Sequence, residues 1–563
     1  MNNDPLISEH VFQEQERTGR WWTLSRSTRI DLVLGAIFLL TAALYGILMI
    51  RSRVPPIGLI GVGVLWLVYA FLGGRLSFAT PMDLPVLGLL GLLPLTLGIS
   101  IDWDLSLPKI YGLVLGIILF YLVVNLVRNY PRLKFAILAL ILLAVGTAAL
   151  GLLTADWSEG LFDGVTRIQH KLIRILRLPS QFAEAGDANV NTIGGALTFF
   201  VPLLGSLFWD DSGFYRKYLR RNRHRKLLKI VYKVLLGGAL LFTLGILILT
   251  GSRAAYLGCA VGMLLMAILK ERRITWQILL IFLVALSLAV IVLGKGDPFA
   301  FIPILTDRGE ITLDQRVHLW QESIGIIQDF PLTGGGIFTM GRLLSESYVF
   351  SFFPGAEEHY MHAHNLLLTV AFDLGIPGLV LYTALLGSFS VMAFHNFDVG
   401  RSIVRALVVG LASGMAAHHV FGLLDANVLG TKLGAILWIF LGLMAAIYVH
   451  QDNLHWRISS RKKPQPGKRI PRLDPAFCKK RLLDLLLGFA YWLVISLVSV
   501  IFITLNPILS LMVATLGGIL LGVVLTKRFV LRNTKNKKNK LNHEGLEEEE
   551  ERNKPRRTQR AQS

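Results

Sequence analysis

Residues 230–270 read IVYKVLLGGALLFTLGILILTGSRAAYLGCAVGMLLMAILK. Two apolar runs, 229–250 and 254–269, are separated by a turn of three residues, 251–253. Each run approaches the roughly 20 apolar residues that a helix needs to cross a bilayer, and so short a turn makes them an antiparallel pair. The only charges in the stretch are Lys233, Arg253 and Lys270. A pattern of this kind, repeated along a chain, describes an all-α polytopic membrane protein, because lipid offers the backbone no hydrogen-bond partner outside a helix or a closed barrel.

The pattern is repeated. Apolar runs fall at 32–50, 56–72, 83–100, 109–127, 133–153, 193–209, 229–250, 254–269, 275–293, 365–391, 403–423 and 432–450, which makes twelve core spans. A further apolar pair, 482–504 and 507–526, forms a C-terminal hairpin behind a basic linker. The whole 563-residue chain is 53% hydrophobic and only 17% charged, and its mean hydropathy is positive. A formal net charge of +20 would suggest nucleic acid as a partner for a soluble protein. Here the basic residues sit in short loops between spans, where they orient the chain and meet anionic headgroups instead. Residues 1–29 are polar, and the first apolar run lacks a small-residue cleavage site, so it is expected to be a retained anchor. Cys259 and Cys478 alone make no disulfide framework.

The positive-inside rule predicts the orientation. With the N-terminus in the cytoplasm, segments 210–228, 270–274, 451–481 and 527–540 lie inside and carry about 27 Lys and Arg. Segments 101–108, 154–192, 251–253, 294–364 and 424–431 lie outside and carry about nine. Both termini are thus expected inside. The expected organisation is a cytoplasmic tail (1–29), an N-terminal bundle (30–234), a central region (235–390) containing an outer-face loop (294–364), remaining core spans (391–455), a basic cytoplasmic linker (456–481), the hairpin (482–526) and a cytoplasmic tail (527–563). Two outer segments are too long to be mere connectors. In 154–192, Arg167, His170, Lys171 and Arg174 share one helical face, while Val165, Ile168, Leu172 and Ile175 lie on or near another, as in a basic helix lying on a membrane surface. In 294–364, Arg316, Leu319, Trp320 and Ser323 have helical spacing, and Pro331 with Gly334, Gly335 and Gly336 ends that helix.

Chemistry is expected where charges gather at the outer ends of spans, since such charges are costly there. Arg253 occupies the tight turn of the opening stretch, either as a snorkelling anchor or as an anion-binding guanidinium. Gly334 to Gly336 could bring backbone amides to a phosphate. The histidines of HYMHAHN (359–365) raise a metal site as one reading, with His359, His362 and Glu358 converging. A continuous helix would not place His359, His362 and His364 on one face, so His359 and His362 are read as loop structure. His364 stands where the loop enters a span. Two arginines and a histidine on one membrane face suit a lipid diphosphate and a proton-accepting base.

Three ordered pieces, LTGSRAAYLG (249–258), RVHLWQESIGIIQDFPLTGGGIFTM (316–340) and HAHNLLLTVAFDLGIPGLVLY (362–382), resemble the O-antigen ligase/polymerase family of bacterial membrane proteins. DANVNTIGGALTFFVPLL (187–204) is similar to the segment that often precedes them. The resemblance covers roughly 235–390. It implies a fold of the large helical membrane glycosyltransferase class and the transfer of a glycan from an undecaprenyl diphosphate carrier to an acceptor hydroxyl. The acceptor would be a glycan, lipid or protein, the site the outer face of the bacterial inner (plasma) membrane, and the chemistry free of metal and cofactor. By this resemblance Arg253 and Arg316 hold the diphosphate, His364 orients or deprotonates the acceptor, and Asn365 joins the substrate site, with Leu368 completing the His-Asn-x-x-Leu element. Asp373 stands where relatives often have Glu. Some relatives are labelled bicarbonate transporters, so transport of a small anion is the alternative, with His418, His419 and Asp425 as candidate intramembrane groups.

Overall fold

The computed structural model describes residues 24–51, 54–157, 164–176, 188–210, 223–270, 313–346, 362–399, 402–426, 429–451 and 475–529. The helices begin with α1 (Arg26–Arg51), α2 (Pro56–Gly73), α3 (Asp83–Gly98), α4 (Trp103–Leu126), α5 (Tyr130–Thr154), α6 (Gly164–Leu176), α7 (Val190–Phe208) and α8 (Arg223–Leu249). They continue as α9 (Arg253–Lys270), α10 (Leu313–Asp329), α11 (Met340–Glu346), α12 (Leu366–Val399), α13 (Ser402–Phe421), α14 (Ala435–Val449), α15 (Pro475–Leu505) and α16 (Pro507–Phe529). Among the described residues, eleven helices are long and apolar enough to cross a membrane, and α3 and α14 are shorter apolar helices. The chain is an all-α polytopic membrane protein. Of the expected spans, 275–293 lies outside the described residues, as do much of the loop 294–364, most of the basic linker and most of both tails.

Local chemistry sets the helix limits. Pro56 opens α2, where its missing N–H costs nothing, and Gly74 closes that helix in the left-handed conformation. Asp102 caps α4 by accepting from the amides of Asp104 and Leu105, and Asn129 caps α5 through Arg132 N. Several spans differ from their sequence boundaries: α4 begins at Trp103 rather than 109, α3 stops at Gly98, and α14 begins at Ala435 after a 3-10 turn, Lys432–Gly434.

The larger correction concerns 365–391. Helix α12 is two helices joined across Gly375, whose φ of 69° and ψ of −179° only glycine adopts without strain. Residues 366–374 form a short half and 376–399 a long one. The junction is fastened to the segment after α10: Gly335 N donates to Phe372 O, Ile376 N to Pro331 O, and the Thr96 hydroxyl to Asp373 O. Gly334 to Gly336 therefore serve close packing. A Cβ at Gly334 would collide with Phe372 O, and one at Gly335 would sit 2.8 Å from the Phe372 ring.

Helices α7, α9 and α13 form the buried centre. A Cβ at Gly258 of α9 would strike Ala417 O of α13, and one at Gly414 of α13 would strike Phe199 O of α7. Helices that approach this closely gain dispersion contact along their whole length, the main attraction available between helices in lipid. Toward the periphery, α2, α15 and α16 expose large apolar side chains such as Phe71, Val494 and Leu516, as lipid-facing surfaces do.

Helix α6 bears out the amphipathic reading with a change of faces. Val165, Gln169 and Ile173 are buried, and Gln169 Nε2 donates to Leu153 O and Ala155 O, clipping α6 to the end of α5. Ile168 and Ile175, expected with the apolar face, are 54% and 64% exposed and form a separate edge. Beside α6, a two-residue parallel pairing of Ala155–Asp156 with Ala188–Asn189 leads into α7.

Candidate functional site

The His-Asn element is built as a clip between two chain segments. Asn365 is the cap of α12: its Oδ1 accepts from Leu367 N and Leu368 N, both at 3.1 Å. Its Nδ2 donates to Leu423 O at 3.1 Å, and Leu366 N donates to Gly422 O at 2.7 Å. A third rung joins His364 Nδ1 to Asp425 Oδ1 at 3.1 Å. The three rungs tie the start of α12 to the turn that ends α13.

His364 itself has a φ of 45°, uncommon for a residue with a side chain. This backbone is held by the clip and by its own amide, which donates to His362 Nδ1 at 3.2 Å. Strain of this sort gathers at sites where geometry matters. The rings of His362 and His364 have centroids 4.4 Å apart. With a carboxylate on Nδ1, the His364 tautomer set by the network carries its proton there and presents Nε2 as a lone pair.

Asp425 is buried, which raises its pKa, but the hydrogen bond and charge of His364, the charge of His362 and the amide of Ala426 outweigh burial and hold the carboxyl below its usual range. Burial drives the His362 pKa down to about 3; His364 reinforces the shift, Asp425 opposes it, and the positive charges of Lys109 and Arg316 add to it. His362 is thus a neutral imidazole at physiological pH.

Arg316 lies on α10, near enough to act on His362. The same helix buries Leu319, Ile326 and Ile327 in one apolar cluster with Ala363, Ala371 and Phe372. Two buried donors one turn apart on α10, Arg316 Nε and Trp320 Nε1, have no acceptor among the described residues. Buried donors in that condition are rare and costly. Arg253 begins α9 and is half-buried; its neighbours Ala254 and Ala255 pack against Phe421 and Leu424, the residue before Asp425. His364 and Arg316 are brought together around His362, and Arg253 stands on the element that packs against the Asp425 turn.

Two features were out of reach of sequence reasoning. Asp425, read there as a polar contact at a helix end or a transport group, pairs with His364 from 61 positions away. Lys109, a cation on the first turns of α4, stands over the Phe338 ring with Nζ 3.8 Å from its centroid. The placement of Lys109 at a span end was the one signal for it. Asp373, whose role the sequence left open, accepts from Phe338 N at 3.1 Å and ties α12 to the segment after α10. Of the other candidate transport groups, His418 donates to Gly195 O and stacks on Phe199, while His419 bonds both Met415 O and the Tyr382 hydroxyl. Both are satisfied within the bundle. His359 and Glu358 lie outside the described residues.

A family model described as O-antigen ligase matches residues 238–383. These limits run from α8 through Arg253, Arg316, the His-Asn clip and the break at Gly375. Residues 238–383 are thus similar to the O-antigen ligase family. The chain is also 24% identical over 269 residues to the O-antigen ligase of Pseudomonas aeruginosa. That similarity covers 47% of this chain, and the chain spans 59% of the length of that relative.

Proposed function

We propose that this protein is a membrane glycosyltransferase of the ligase or polymerase type. It moves a glycan from an undecaprenyl diphosphate carrier to an acceptor hydroxyl at the outer face of the bacterial inner membrane, with both termini in the cytoplasm. The observation that carries the reading is the His364–Asp425 pair, with Arg316 of α10 acting on the neighbouring His362 and its Nε without an acceptor among the described residues. A base whose tautomer is set by a carboxylate is equipped to take a proton from an acceptor hydroxyl. A guanidinium such as that of Arg316, whose Nε has no acceptor among the described residues, suits the diphosphate that leaves.

In this scheme His364 Nε2 receives the hydroxyl proton as the acceptor oxygen bonds to the anomeric carbon. The bond from that carbon to the diphosphate oxygen breaks, and Arg316 with Arg253 stabilises the charge that develops on the carrier. Asp425 holds the imidazole and balances the imidazolium. Asn365, expected at the substrate, is assigned a positioning role, because its side chain caps α12 and bonds Leu423. The scheme draws on no metal or cofactor. Ligases and polymerases share these steps and differ in the acceptor: a lipid-linked core, a carrier-bound glycan or a protein.

The broken α12 favours a second reading, since transporters of small anions such as bicarbonate use interrupted helices. Its freed backbone groups, however, are consumed inside the protein, by Gly335, Pro331 and Thr96. The test is complementation of a deletion strain with Arg253→Ala or His364→Ala. The expected result is accumulated lipid-linked glycan and reduced surface polysaccharide with either variant. Normal polysaccharide together with altered bicarbonate uptake would overturn the transferase reading in favour of transport.

A further inference from the structure

We propose that His362, His364 and Asp425 form a binding site for a divalent transition-metal ion of the zinc class, and that occupancy of this site inhibits transfer. Each side chain offers one ligand atom, and the three atoms lie within 4.8 Å of one another. The exposures of the His364 and Asp425 side chains are 15% and 8%, so an ion there would be largely shielded from water. The inhibitory role rests on the reading of His364 as the base.

The donor set decides the class of ion. Calcium and magnesium take shells of oxygen ligands, whereas two imidazoles and one carboxylate suit zinc, nickel or copper. Zinc sites with three protein ligands keep a fourth position open for water or substrate. Little rearrangement is needed. The left-handed backbone of His364 brings the two rings together, and the His364–Asp425 separation of 3.1 Å already suits two ligands of one tetrahedral ion.

The surroundings decide how the ion acts. Arg316 and Lys109 place positive charge near His362, which opposes a cation and makes binding reversible rather than permanent. An ion held there engages both members of the His364–Asp425 pair. The imidazole then has no lone pair for an acceptor hydroxyl, and the carboxylate no longer fixes its orientation. His362 accepts the His364 amide but takes no proton from the acceptor in the proposed step, so its loss acts first on the metal site.

The test uses the full chain in lipid nanodiscs, with Zn²⁺ as inhibitor and Co²⁺ as spectroscopic probe. Transfer from a labelled lipid-linked glycan is assayed against rising Zn²⁺ for the unaltered protein and for His362→Gln. Each inhibition curve is scaled to that protein's own metal-free rate, and the expected result is inhibition of the unaltered protein and at least a ~10-fold higher inhibiting concentration for His362→Gln. Co²⁺ should give visible absorption of nitrogen and oxygen ligation at one ion per chain, lost in His362→Gln. A parent protein with no such absorption would overturn the site, even if the variant fails to fold. Equal inhibition of parent and variant would place the inhibiting ion elsewhere. Site-dependent Co²⁺ absorption with no inhibition by Zn²⁺ would overturn the inhibitory role and, separately, the assignment of His364 as base.

Discussion

Helix α12 makes two very different contacts along its length. At its start it meets the end of α13 through three polar rungs, at Leu366–Gly422, Asn365–Leu423 and His364–Asp425. Along its long half it meets the C-terminal hairpin through backbone pressed on backbone. A Cβ at Gly522 would collide with Ala384 O, one at Gly518 with the Thr383 hydroxyl, and one at Gly387 with Ile519 O. Ser388 Oγ also donates to Gly522 O, and Trp492 Nε1 donates to Pro377 O just past the break. The first contact is built from hydrogen bonds, one of them between a histidine and a carboxylate that can exchange a proton, and the second mainly from close-fitting shapes. The same helix thus has the proposed transfer site at one end and anchorage along the other. Substitutions should separate the two into losses of rate and losses of stability.

The largest effect is expected at the rungs. His364→Ala should lower the transfer rate by about 10²–10⁴-fold, the range that a positioned acid or base supplies, with little change in thermal unfolding. Asp425→Asn should reach the lower part of that range by disturbing the tautomer. Both are read from single-turnover transfer of a labelled glycan by purified protein. A variant at His364 with near-parental turnover would break the division at its chemical end.

At the other contact, Gly522→Val should destabilise the protein by roughly 1–3 kcal/mol, as overpacking does, seen as earlier thermal unfolding or cleavage in the hairpin. The turnover of the molecules that remain folded should stay near the parental rate. A folded Gly522→Val protein as slow as His364→Ala would show that the hairpin governs the chemistry after all.

Intermediate effects lie between the ends. Asn365→Ala should cost about 1 kcal/mol as a lost cap and should also lower turnover, because one residue carries both a cap and a rung. Asn365→Ser restores the cap without the bond to Leu423, so comparing the two variants in unfolding and in rate separates those roles. The smallest change is expected of Trp492→Phe, which deletes one hydrogen bond worth about 0.5–1.5 kcal/mol and should be visible only in thermal unfolding.

Much of this layout is legible in the sequence because a bilayer imposes length and polarity on every span. The runs at 109–127 and 403–423 could be read directly, and so could the surface helix around Arg167 to Arg174 and the helix carrying Arg316. The order of the three family pieces pointed to Arg253, Arg316 and His364. What sequence could not supply were the long-range pairings. The distance from His364 to Asp425 along the chain contains two helices, and no periodicity links them. The glycines at 334–336 resembled a phosphate cradle, and only the presence of Phe372 behind them reveals packing. The run 365–391 read as one span, yet the helix breaks at Gly375, two residues before Pro377, where the chain leaves helical dihedral angles. The hairpin looked like an appendage, since helix-to-helix contact in lipid depends on close fit that hydropathy does not record.

The break at Gly375 also divides the molecule mechanically. The short half of α12, 366–374, is bolted to the segment after α10 and to the turn after α13, whereas the long half, 376–399, is buried between the core, where Tyr382 bonds His419, and the hairpin, where Ser388 bonds Gly522 O. A bilayer that thickens or thins tilts its longest helices first. A joint at Gly375 lets the halves take different tilts while the short half stays where its bonds hold it. The rate of the proposed transfer should then vary little between nanodiscs of short and long acyl chains.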